Sequence, residues 1–237
     1  MEPVGKKINL SSMKKFFIFC LVSLFIGNVF SQEEKKAQEG TPSEAIAAIR
    51  LASDLVKYGY ANNEALPLIQ AAEILLSTPT QESKAKQTDP SKKTADVTEK
   101  TTGIPHTPEA LLADAKELAQ GSESLLALIK EVEGNLGQAS RGRVGGPGKT
   151  FTRVYGGATD TYEIQVYGGE LFEIAVSGDG DTDLDLYVYG AKGKLIGTDD
   201  DYSDDCYLRL YPELSGYYVV KVVNRGRVYN DYVLVTN

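Results

Sequence analysis

The sequence predicts an α+β chain built as separate domains, a small helical bundle followed by an all-β sandwich of jelly-roll type. Two observations set this division. Apolar residues recur at helical spacing between residues 41 and 136, and at alternating spacing beyond residue 150. Charge divides at the same place: Thr150 to Asn237 holds 7 Lys and Arg against 15 Asp and Glu, whereas residues 1–149 hold 18 of each sign. The entire formal charge of −8 and 12 of the 14 tyrosines therefore fall in the last 88 residues. An acidic, tyrosine-rich module excludes nucleic acid as a partner, because phosphate backbones require clustered Lys and Arg.

The N-terminus predicts export. Lys14 and Lys15 precede the apolar run Phe16 to Phe30, and Val29-Phe30-Ser31 offers a cleavage site before Gln32. The run is roughly 15 residues, short of the ~20 that a spanning helix needs. Residues 1–31 are thus expected to be a signal peptide, leaving no membrane span after cleavage and a secreted or periplasmic protein. A polar tail follows over 32–40.

Residues 41–78 predict a helical hairpin. Thr41-Pro42-Ser43-Glu44 supplies a start, with Thr as N-cap and Pro in the first helical position. Ile46, Ile49, Ala52 and Val56 follow at helical spacing up to Gly59. Asn63 is expected to cap the next helix, striped by Leu68, Ala72, Leu75 and Leu76. Residues 79–106 are rich in Lys, Thr and Ser and poor in large apolar side chains, so a disordered linker is expected. A second hairpin over 107–136 opens on Thr107-Pro108, breaks at Gly121, restarts at Ser122 and closes at Gly134. The two hairpins read as a four-helix bundle, with a degenerate helical repeat as the rival. A Gly-rich hinge over 137–149, containing RGRVGGPGK, marks the domain boundary.

From residue 150 the period is that of strands. Tyr162, Ile164 and Val166 alternate with polar residues, as do Phe172, Ile174 and Val176, then Leu184, Leu186 and Val188. Cys206, Leu208 and Leu210 share one face of CYLRLY; Tyr218, Val220 and Val222 share one face of the next run, and Tyr232 and Leu234 follow. Gly-rich turns separate these segments, giving seven or eight short strands. Cys206, the one cysteine beyond the signal segment, reads as a buried small hydrophobe.

The segments DTDLDLYVYGAKGKLIGTDDD, SGYYVVKVV and YNDYVLVTN together resemble the bacterial pre-peptidase C-terminal domain. The matching parts run in order: Asp183 to Tyr187, Gly190 to Gly193, Leu195 to Asp201, Gly216 to Val222, and Tyr232 to Leu234. The resemblance covers residues 150–237 and implies a small sandwich commonly found at the end of secreted peptidases and other exported proteins. Related domains in secreted collagenases bind calcium and collagen, so the resemblance implies both as ligands.

Two sets of candidate site residues follow. Nine aspartates crowd Gly178 to Asp205 against Lys192 and Lys194 alone. Carboxylates so close repel unless a cation or distance relieves them. Asp181, Asp183, Asp199 and Asp201 are the expected calcium ligands, although Leu184 and Gly190 stand where an EF-hand would need Gly and Glu. The bland alternative is a set of solvated turn aspartates. Tyr187, Tyr189, Tyr207 and Tyr217 are the expected stacking surface for a sugar or protein, against a purely structural role as cross-strand pairs.

No catalytic function is expected: the only histidine, His106, lies in the polar linker, away from any serine or cysteine strand. The expected function is an exported, non-catalytic protein whose sandwich binds a polysaccharide or an envelope or matrix protein. Two alternatives differ in class: the sandwich as a type IX-like sorting segment, and the helices as a scaffold for protein–protein interaction.

Overall fold

The computed structural model describes residues 41–92, 107–139 and 146–237. The expected signal peptide, the polar tail, His106 and the middle of the expected hinge lie outside them. Among the described residues there are four helices, α1 (Glu44–Asn62), α2 (Ala65–Ser77), α3 (Pro108–Leu118) and α4 (Glu123–Ala139). There are ten strands: β1 (Gln81–Glu82), β2 (Lys86–Asp89), β3 (Gly148–Val154), β4 (Thr159–Val166), β5 (Phe172–Ser177), β6 (Leu184–Tyr189), β7 (Leu195–Asp199), β8 (Asp205–Leu210), β9 (Gly216–Asn224) and β10 (Asn230–Thr236).

The strands form two five-stranded sheets packed face to face. One has the order β1-β3-β10-β5-β8 and the other β2-β4-β9-β6-β7. All pairings are antiparallel except β1 with β3. The inward residues are those that the alternation picks out: Tyr162, Ile174, Leu186, Leu208, Val220 and Leu234 all belong to one buried core. Cys206 sits there too, its Sγ donating to the Leu184 carbonyl at 3.1 Å.

The polar stretch over 79–106 is not a bare linker. Its first part supplies an edge strand to each sheet, β1 and β2, crossing between them with Ala85 packed on the core. Edge strands are held by backbone hydrogen bonds and need no apolar face, so composition does not reveal them. Beyond β2, the Ser91 N–H donates to Asp160 Oδ1 at 2.6 Å. Asp160 is fully buried, and its other oxygen accepts from the Tyr232 hydroxyl at 2.7 Å, which lies 2.6 Å from the Tyr162 hydroxyl. Burial pushes Tyr162 up to about 12.

Helix α2 touches α1, α3 and α4, and Leu68, Ile69, Leu111, Leu112 and Ile129 form the helical core. Two glycines expected to end helices lie inside them instead. Gly59 is buried within α1, where a Cβ would stand 2.6 Å from Leu68 Cδ2, so its bare backbone lets α2 approach. Gly134 lies within α4. Asn63, expected as an N-cap, closes α1 in the left-handed conformation at φ 55°, and Ser43 rather than Thr41 precedes its first turn. Thr107 caps α3 as expected, accepting from the Ala110 N–H at 3.3 Å.

The helical part is not held by a hinge alone. Ile46 and Ile49 of α1 pack on Ala175 of β5 and on Val233 and Val235 of β10, forming a second apolar seam on the outer face of the β10 sheet. With the sandwich core on one face and this seam on the other, every residue of β5 and β10 is buried. Polar contacts fix both ends of α1. The Ser43 N–H donates to Glu173 Oε1 at 3.0 Å, and Lys57 bridges Asp204 at 3.3 Å and Asp205. Burial alone would lower Lys57, but its hydrogen bond to Asp205 and the charges of Asp204, Asp205 and Asp54 outweigh this and raise it. The layers are therefore helix, sheet, sheet.

Candidate functional site

With α1 on one sheet, no helix among the described residues covers the outer face of the other. The alternation in β6 and β9 turns Leu186, Val188, Tyr218, Val220 and Val222 inward, so Tyr187, Tyr189, Tyr217, Val219 and Lys221 face outward. Cross-strand register sets Tyr189 opposite Val219 and, on its other side, Leu195, so an apolar row crosses three strands. Tyr217 lies two residues from Val219 on the same face and is 65% exposed. Lys221 Nζ sits 5.4 Å from the Tyr189 ring centroid. The Tyr187 hydroxyl donates to Asp185 Oδ2 at 2.8 Å and accepts from Arg225 Nη2 at 2.9 Å, which fixes its ring.

Tyr207 does not join this surface. It lies on β8 of the other sheet, beside Ile46 and Ile49, with Arg50 at 5.5 Å from its ring and its hydroxyl donating to Glu173. Burial, then that carboxylate, push its hydroxyl pKa up. Three of the four expected tyrosines share a face; the fourth belongs to the helix seam. Alternation shows that a residue points outward but not from which sheet.

The acidic loops meet at one end of the sandwich. The Gly178 N–H donates to the Asp204 carbonyl at 2.9 Å, the Gly180 N–H to the Asp204 carboxylate, and the Leu184 N–H to the Ser203 carbonyl at 3.0 Å. Between these loops Asp181, Asp183 and Asp204 line an open cleft of about 390 Å³, flanked by Tyr202. Burial, then the charge of Asp185, raise the Asp183 carboxyl; Asp201 and Asp204 add to this and Arg225 opposes it. Asp183 Oδ1 is buried without a hydrogen-bond partner among the described residues.

The expected calcium quartet is not gathered. Asp199 ends β7, and its carboxylate accepts the Tyr207 N–H at 2.8 Å, away from the cleft. Among the described residues no three His, Cys, Asp or Glu side chains come together as a ligand set. Cys206 is not poised to attack, since burial and four surrounding aspartates push its thiol pKa up.

No family model matches the chain, and no curated protein matches it. Solved structures that match part of the chain include the pre-peptidase C-terminal domain of collagenase from Bacillus anthracis, at 15% identity, 40% of this chain, 91% of that one and a TM-score of 0.33. PliG of Aeromonas hydrophila, a periplasmic inhibitor of g-type lysozyme, matches at 17% identity over 38% and 84%, TM-score 0.30. A carbohydrate-binding module of Cellvibrio mixtus lichenase 5A, in complex with cellotriose, matches at 12% identity over 39% and 86%, TM-score 0.25. Likenesses of this degree fix neither a family nor a function for the chain. No helix among the described residues is long and apolar enough to cross a membrane.

Proposed function

We propose that this is an exported, non-catalytic protein whose sandwich, of the pre-peptidase C-terminal kind, binds a polysaccharide along its open sheet. One observation carries the reading: α1 covers the outer face of the β10 sheet, while the β9 sheet keeps Tyr187, Tyr189 and Tyr217 at its surface. Tyrosine rings offer large apolar faces that lose little side-chain freedom on binding. Their half-exposed setting among Leu195, Val219 and Lys221 suits the flat apolar face and polar rim of a sugar ring. Affinity electrophoresis of the full chain in gels containing soluble β-glucan, mannan or xylan tests this. Retardation by one polymer that is lost in Tyr189→Ala and Tyr217→Ala, but kept in Tyr207→Phe, is the expected outcome; equal mobility in all gels would overturn it.

The cleavable sorting segment is the weaker reading. The sheets take β1 and β2 from residues 81–89, and α1 packs on β5 and β10. Removing residues 150–237 would strand both edge strands and uncover Ile46 and Ile49.

Calcium enters the proposal at the acidic cleft, where Asp181 and Asp183, rather than the quartet, would supply carboxylate oxygens. Support comes from the unpartnered Asp183 Oδ1 and the raised Asp183 carboxyl, both of which a cation would relieve. Asp204 is already committed to Lys57 and the Gly180 N–H, so main-chain carbonyls and water would have to complete the six to eight oxygens that calcium takes.

A further inference from the structure

At the pole opposite the acidic loops, the two sheets part around a cavity of about 190 Å³. Its floor is apolar, made by the inward faces of Val166 and Phe172, and its mouth is ringed by Gln165, Tyr167, Glu170 and Lys84. Lys84 lies between β1 and β2, so the crossover that joins the sheets also closes one side of the cavity.

The mouth is continuous with the tyrosine face. Tyr217 pairs directly with Gln165 across the β9–β4 ladder. Tyr167 follows two residues later and is 56% exposed. Neighbouring strands lie about 4.8 Å apart and residues two apart on a strand about 6.8 Å, so successive steps from Tyr189 to Tyr217 to Tyr167 are each on the order of 8 Å. The turn that carries Tyr167 is rigid. The Gly168 N–H donates to Ser215 Oγ at 2.9 Å and the Gly169 N–H to the Pro212 carbonyl at 2.7 Å. A Cβ on Gly168 would lie 2.6 Å from the Glu213 carbonyl oxygen, so this turn sits directly on the β8–β9 turn.

We propose that the cavity holds the terminal pyranose residue of a neutral glycan chain whose following residues lie along the tyrosine face. The volume admits one sugar ring and no more of a chain. An apolar floor beside an exposed tyrosine suits the ring's hydrophobic face, and Gln165, Glu170 and Lys84 supply the amide, carboxylate and ammonium groups that bond vicinal hydroxyls. The protein then recognises chain ends rather than chain interiors. This inference rests on the polysaccharide reading and sharpens it.

The test is titration calorimetry of the full chain with cello-, laminari-, manno- and xylohexaose, with the matching monosaccharide as competitor. Gln165→Ala and Tyr167→Ala probe the cavity, Tyr189→Ala probes the face, and melting curves check that each variant is folded. A hexaose that binds, is displaced by its monosaccharide, and loses about tenfold or more in affinity in both cavity variants supports chain-end recognition. If a hexaose binds, Tyr189→Ala weakens it, and both cavity variants bind within twofold of wild type, the cavity assignment is overturned and the face remains. If no hexaose binds the wild-type chain, both fall together.

Discussion

Asp183 holds a carboxylate that the fold penalises when it is charged, since its pKa lies above the ordinary 3.8. A raised carboxylate costs stability above its folded pKa, and the cost disappears below the unfolded value. Asp183→Asn is therefore expected to raise the melting temperature at pH 7 in chelator, and the gain to shrink as pH falls toward 4. Calcium should raise the wild-type melting temperature at pH 7 and leave the variant nearly unchanged. Melting curves at matched ionic strength check both. An unchanged wild type in calcium would reduce the acidic loops to turn formers and solubilising charge. The crowding itself was legible in the sequence, because nine aspartates within Gly178 to Asp205 require no structure to notice. The grouping was not: Asp199 is expected among the calcium ligands, whereas strand β7 carries it to the Tyr207 N–H.

Elements divide by how far they rely on apolar patterning. Strands β4, β5, β6, β8, β9 and β10 each turn alternate side chains into the core, and those inward residues are the ones predicted. Helix α3 likewise starts where its Thr-Pro signal predicts, with Thr107 capping it. Strands β1 and β2 were invisible because QE and KQTD bury almost nothing and pair through the backbone. They still matter energetically. Replacing residues 81–91 by a Gly-Ser chain of equal length removes both edge ladders and the Ser91 donor to buried Asp160. Each lost hydrogen bond costs roughly 0.5–1.5 kcal/mol, and more where a buried carboxylate is left short of donors. A loss of about 2–4 kcal/mol in urea unfolding is expected on that basis. A bare tether would give no change.

At the scale of the molecule, the helices and the sandwich share the seam of Ile46, Ile49, Ala175, Val233 and Val235. The seam has no counterpart in the sequence reading, because Val233 and Val235 look like the solvent side of an ordinary strand until a helix is known to lie there. Burying Ile46 and Ile49 is worth ~1.5–3 kcal/mol each as an upper estimate. An isolated 150–237 fragment should therefore unfold at lower denaturant than the 41–237 chain and bind a hydrophobic dye, and fluorescence with urea titration reads both. A fragment as stable as the longer chain would make the seam incidental. The strand order has a temporal consequence. Strand β10, the last of the ten in sequence, occupies the middle of its sheet, between β3 and β5. A chain made from its N-terminus must therefore wait with that central slot vacant. Strands β3 and β5 cannot share a closed sheet until residues 230–236 have come between them.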